Sequence, residues 1–253
     1  MDQILESMLS NYSPEFRREF IVNANRMKLN KKAHIKKYNK LRILHSEIID
    51  SMEYYIKHNQ YEDDEFLKDV FDEIRKKHEE ISLDYDDLDD KTILNELLIY
   101  KNHPNLPTIT EKYIEKGKFK KNEKIKMLVS MKNSYVGLFK IIETDFEDGY
   151  VTYEDVFTKK QFKIIDISMS STVKIDKNRM VYYYNRVITY DDISFGTGIH
   201  CIMTSSNKEL MKFIKNHKYD DCSDFARCLM LYDICKKEKN INTKFNNQYG
   251  NRR

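Results

Sequence analysis

The strongest constraint on this chain is a change of hydrophobic period near residue 133. Ahead of it, apolar residues recur three and four apart; behind it, they gather in short runs rich in β-branched and aromatic residues, separated by turns. The first pattern runs through Ile35, Tyr38, Leu41, Leu44, Ile48, Ile49, Met52, Tyr55 and Ile56. That spacing predicts a long amphipathic helix, ended by Asn59 and Gln60. Phe66, Leu67, Val70, Phe71, Ile74 and Ile81 repeat it in a second helix. Shorter helices are expected over 2–9, from Pro14 onward, over 91–100 and over 121–132. Pro104 and Pro107 break the chain, and Thr108 with Glu111 forms a Thr-x-x-Glu capping box.

After the change, SYVGLFKIIET, YVTYEDVF, QFKIIDIS, MVYYYNRVITY and GIHCIMT read as five short strands. DFEDG and a Thr-Lys-Lys step supply two of the turns. The glycines of SFGTGIH read as a loop between strands. Helices return at 206–216 and at 223–238, the latter capped by Ser223. The fold class is therefore α+β: a helical N-terminal half, a small antiparallel β-barrel or bent sheet, and C-terminal helices. Residues 1–105 form the helical domain, 106–240 the α+β module, and 241–253 a flexible tail. With six Gly and three Pro, the chain favours long helices over a turn-rich all-β fold.

Charge is divided as sharply as period. Between Glu19 and Glu47 there is no acid, and that window carries Arg26, Lys28, Lys31, Lys32, Lys36, Lys37, Lys40 and Arg42. Lys32, Lys36 and Lys40 are spaced to line one side of the helix, opposite its apolar face. Such a stripe suits phosphates or an acidic protein surface. From Glu62 to Asp90 the balance reverses, with DYDDLDD the densest acidic part. The acidic run is a candidate partner for the basic helix within the chain. It lacks the alternating ligands, central Gly and closing Glu of a calcium loop. A second basic run, Lys112 to Lys126, is interleaved with acids and reads as a surface helix.

The stretch from about Ile114 to Lys215 carries EKIKMLVSMKNS running into GLFKII, then DFEDGYVTYEDVFTKKQFKIID and RVITYDDISFGTGIHCIM. It resembles a region of uncharacterised bacterial proteins, some of which also carry a zinc motif like the C-terminal tail of SecA. The zinc motif has no counterpart here. The resemblance implies a small β module and supplies no catalytic residue.

No nucleophile–base constellation, phosphate loop or kinase motif is present. Asp145 or Asp155 with Gln161-Phe162-Lys163 weakly matches a metal-dependent nuclease pattern, although Glu would normally hold the middle position. Tyr182, Tyr183 and Tyr184 alternate faces, so at least one ring is expected outward, free to stack on a base or a partner side chain. Cys201, Cys222, Cys228 and Cys235 form no CxxC and read as reduced, buried thiols. No apolar run is long enough to span a bilayer, and the N-terminus lacks a signal-peptide pattern. The expectation is a cytoplasmic, non-enzymatic binding protein without cofactor or metal, contacting a protein partner through its charged helical half. Nucleic-acid binding through residues 26–42 is the alternative, and the composition suits a bacterial mobile element, phage or phage-defence system.

Overall fold

The structure is a computed structural model that describes residues 13–58, 95–100, 107–172, 180–216 and 230–237. The expected helices over 2–9 and 66–81, the acidic run 62–90, the Ser223 cap and the tail lie outside the described residues.

Helix α1 spans Pro14–Leu29 and α2 spans Ala33–His58. The apolar stripe read from the sequence is the buried face of α2. Ile35, Leu41, Ile48, Met52 and Ile56 enter the main core, with Tyr38, Leu44, Ile49 and Tyr55 at its margin. In place of the end of a regular helix, Glu96–Tyr100 forms one π-helical turn with every residue buried. Helix α3, Ile109–Glu115, has the capping box its sequence announces. Thr108 N donates to Glu111 Oε2 at 2.9 Å, and Glu111 N donates back to Thr108 Oγ1 at 3.2 Å. Helix α4 covers Asn122–Lys132.

Five strands follow: β1 Tyr135–Asp145, β2 Tyr150–Asp155, β3 Gln161–Ile165, β4 Val181–Tyr190 and β5 Ile193–Thr204. They close into a barrel in the order β1-β2-β3-β5-β4. The barrel is mixed, since β3 and β5 run parallel, paired at Ile165 and Phe195. The reason is parity: a closed ring with an odd number of strands cannot alternate direction at every step. A bulge between Ile141 and Glu143 bends β1. Its first half pairs with β4 and its second half with β2.

Two boundaries differ from the sequence reading. QFKIIDIS leaves the sheet after Ile165, where Asp166 caps helix α5, Ile167–Thr172, by accepting from Met169 N at 2.9 Å. Met169 then packs against the barrel interior. SFGTG is no loop, because β5 already begins at Ile193. Gly196 serves packing there: a Cβ on it would lie 2.6 Å from Asn185 Nδ2.

The barrel interior is apolar and aromatic: Phe139, Ile141, Val151, Tyr153, Ile164, Tyr183 and Val187. The outward faces of β1, β4 and β5 contribute Leu138, Tyr182, Tyr184, Ile188, Phe195 and Met203 to the larger core shared with the helices. Helix α6, Lys208–Asn216, and helical residues 230–237 join that core through Leu210, Phe213, Leu231 and Tyr232. Outward positions of β2, and Gln161 and Lys163 of β3, stay partly or fully exposed, whereas Ile165 is buried in the shared core. Among the described residues no helix is long and apolar enough to cross a membrane.

Candidate nucleic-acid interface

The basic segment divides into residues that dock on the barrel and residues that face outward. Lys32, in the bend before α2, pairs with Asp148 in the β1–β2 turn and donates to the Glu147 carbonyl at 2.8 Å. His34 donates to the Asp148 carbonyl at 3.0 Å and stacks on Tyr150, centroids 5.3 Å apart. Asn25 of α1 reaches the Phe146 carbonyl in the same turn. Lys37 pairs with Asp192 in the β4–β5 turn, and Arg42 donates to the Gly196 carbonyl. The turn carboxylates respond: Lys32 and Lys37 hold Asp148 and Asp192 below the usual carboxylate range, chiefly by hydrogen bonding. Gly149 closes the first turn at φ 74, where glycine is favoured.

This corrects the single stripe read from sequence. Lys36 and Lys40 are exposed on α2, but Lys32 turns away to the barrel. Arg26, Lys28, Lys31, Lys36 and Lys40 remain outward. Among the described residues, Lys32 and Lys37 of the basic segment find their acids in two barrel turns.

The second basic run also has a place that sequence spacing does not disclose. Lys121 and Lys124, at the start of α4, face Lys37 and Lys40 of α2 across a cleft of about 510 Å³. The signal was present only as two lysine clusters some eighty positions apart, and tertiary packing joins them.

The uncovered barrel face is built on β2 and β3. Lys160 Nζ lies 5.0 Å from the Tyr135 ring centre and 4.9 Å from that of Phe162. Lys163 Nζ lies 4.6 Å from the centre of Tyr150, the ring that also stacks on His34. Both lysines are exposed and the three rings half-buried. Lys140 pairs with Glu154 at 2.9 Å on the same face. Lys163 and Tyr150 thus lie on the outward face beside His34, whereas Lys160, in the β2–β3 turn, covers Tyr135 and Phe162 at the end of the barrel, where both rings pack against the interior cluster.

A buried polar group sits on the covered side. Arg186 of β4 meets Glu96 of the π-turn in a bidentate pair, Nε to Oε1 at 3.1 Å and to Oε2 at 2.9 Å. The guanidinium also donates to Ser134 Oγ at 2.6 Å and lies over the Tyr100 ring. Tyr100 OH bonds the ring of His45 at 2.6 Å. Burial, helped by the Arg42 charge, pushes the His45 imidazole down to about 4, so it is neutral at physiological pH. Burial raises the Tyr100 phenol far above its ordinary value. Every member of the group has a partner and none is open to a ligand, so its role is to join the helical region to the barrel.

The nuclease-type residues do not converge. Asp145 accepts from Asp148 N, and Asp155 accepts from Phe157 N and Thr158 N, so each carboxylate organises a turn. Gln161 bonds Glu154. Among the described residues no group of three or more His, Cys, Asp or Glu is placed to hold a metal ion. The tyrosine row has no outward ring: Tyr183 points into the barrel, while Tyr182 and Tyr184 lie beneath the helices. Alternation failed as a guide to exposure because β4 is covered on both faces. Cys235 is buried and forms no disulfide.

No curated protein and no solved structure matches the chain. One family model does, from Lys32 in the bend before α2, through the π-turn and the whole barrel, to residue 246. Covering well over half of the chain, that match places the protein in the family described as "Family of unknown function (DUF7986)".

Proposed function

We propose that this protein binds single-stranded nucleic acid across the β2–β3 face and onward to the exposed lysines at the start of α2. The observation that carries the reading is two neighbouring lysine–aromatic groups: Lys163 over Tyr150 on the outward β2–β3 face, and Lys160 over the half-buried Tyr135 and Phe162 at the adjoining end of the barrel. Aromatic rings give bases a stacking surface, and lysines beside them neutralise the phosphates between those bases. Arg26, Lys28, Lys31 and Lys36 extend the positive surface beyond His34. Five-stranded Greek-key barrels of OB type take oligonucleotides on the face of their second and third strands. Architecture alone assigns no function; it adds to what the side chains supply.

Fluorescence anisotropy with labelled single- and double-stranded DNA and RNA at two salt concentrations tests the proposal. Single strands should bind, and log affinity should fall linearly with log salt concentration. The Lys160→Ala/Lys163→Ala pair should lower that slope by about 0.7 for each phosphate contact removed. Replacing Phe162 with Leu should cost affinity at both salt concentrations, because stacking is worth about 1–3 kcal/mol per base. Absence of binding at low salt, or parental affinity in the double variant, would overturn the reading.

A further inference from the structure

We infer that the cleft between α2 and the start of α4 is a docking groove for an acidic segment of a partner protein that carries a large apolar side chain. The groove is distinct from the β2–β3 face, and the inference does not depend on nucleic-acid binding.

The argument begins with the floor. Ile43 is 63% exposed, and covering it with an apolar side chain would remove that surface from water. Half-buried Leu44 stands beside it, with Leu41 and Tyr190 buried beneath, so Ile43 supplies most of the apolar surface of the cleft. The walls are cationic on both sides, with Lys37 and Lys40 from α2 facing Lys121 and Lys124 from the start of α4.

These lysines are not equivalent. Lys37 is held by Asp192, and Lys124 by Glu47 at 2.9 Å. Asp191, also in the wall, is held by Lys126. Lys40 and Lys121 make no ion pair with another described residue, although the Lys121 charge also reaches Glu47, which Lys124 holds. One stands on each side of the exposed isoleucine's cleft. That arrangement asks for carboxylates near both walls and an apolar group between them. A nucleic-acid backbone makes poor use of it, because phosphates gain nothing from the Ile43 side chain between the two lysines. An acidic peptide with a leucine, isoleucine or phenylalanine anchor satisfies both features. Glu123 can in turn accept a single basic residue from the same peptide.

The test is selection from a phage-displayed random peptide library on the immobilised full chain, followed by anisotropy with synthetic versions of the selected peptides. The recovered sequences should be rich in Asp and Glu around a large apolar residue. Lys40→Glu/Lys121→Glu and Ile43→Ser should each weaken binding by about tenfold or more, as expected when a rim charge is reversed or an anchor contact is lost. All three positions are exposed, so denaturation midpoints should match the parent and establish that the variants fold. Lys160→Ala/Lys163→Ala should leave peptide affinity unchanged, which separates this groove from the barrel face. The inference is overturned if no peptide is enriched, if the enriched peptides lack acidic residues, or if they bind the groove variants as tightly as the parent. It is equally overturned if groove substitutions abolish oligonucleotide binding while leaving peptides unaffected, since the groove would then belong to the polyanion surface.

Discussion

Strands β4 and β3 belong to one barrel but occupy opposite environments. In β4 every residue from Tyr182 to Ile188 is buried, odd positions toward the barrel interior and even ones beneath the helices. In β3 only Ile164 and Ile165 are buried, and Gln161 and Lys163 meet solvent. Each strand carries a cation pointing outward from the barrel. On β4, Arg186 is 2% exposed and must be matched by Glu96, because an unpaired buried charge is costly. On β3, Lys163 needs no carboxylate, since water solvates it. The helices cover the β1–β4–β5 side of the barrel, and what they leave open is available for binding. Position around the barrel therefore decides whether a positive side chain supports the fold or faces solvent.

The largest expected effect breaks the covered side. Glu96→Ala strands the Arg186 charge and should cost about 3–5 kcal/mol of stability in chemical denaturation. Replacing both residues with apolar side chains of similar volume should recover much of that loss. If Glu96→Ala is as stable as the parent, the pair does not join the helical region to the barrel. Lys163→Ala, by contrast, should stay within about 0.5 kcal/mol of the parent while losing affinity for single strands.

The next effect uses pH. The His45 pKa falls from its ordinary value to about 4 in the fold, so between about pH 6.5 and 4 the unfolded chain binds the extra proton and the folded chain does not. Stability contributed by neutral His45 is present above pH 6.5 and is lost as pH falls toward 4. The loss approaches about 3 kcal/mol for a shift of this size. His45→Gln keeps a hydrogen bond within reach of Tyr100 and cannot titrate. Its stability curve should be flatter than the parent's across this window; identical slopes would mean that His45 is not the group responsible.

The periodicity of α2, the capping box at Thr108 and the number of strands were all legible, because each is a local pattern repeated in sequence. The parallel β3–β5 pair was not, since closure is a property of the whole ring. The buried status of the Tyr182–Tyr184 row was hidden for a related reason. Alternation assigns side chains to faces, but it does not say that both faces of β4 are covered. The charge stripe was read correctly as composition and incompletely as geometry. Eight cations on one segment look alike until two barrel turns claim Lys32 and Lys37 and strand β5 claims Arg42. Lys160 and Lys163 drew no notice as a binding pair, because nothing in a Thr-Lys-Lys turn signals that Tyr135, more than twenty positions earlier, lies beneath one of them.

The smallest effect sharpens the same contrast within the basic segment. Lys37 pairs with Asp192 where both side chains remain well exposed, and such pairs are screened by salt. Lys37→Ala should barely lower the denaturation midpoint in dilute buffer. At about 1 M salt, where the screening length is about 3 Å, the difference should vanish. The docking of α2 does not rest on this pair, because Ile35, Leu41, Ile48, Met52 and Ile56 already hold the helix in the core. Lys36→Ala, one position earlier and facing outward, should leave stability unchanged in both buffers yet reduce the salt dependence of single-strand binding. If Lys36 and Lys37 behaved alike in both measurements, the division of the basic segment into docking and outward residues would have no energetic basis. If only Lys36 affects binding and only Lys37 responds to salt in stability, adjacent lysines on one helix have been assigned different tasks by the surfaces they face.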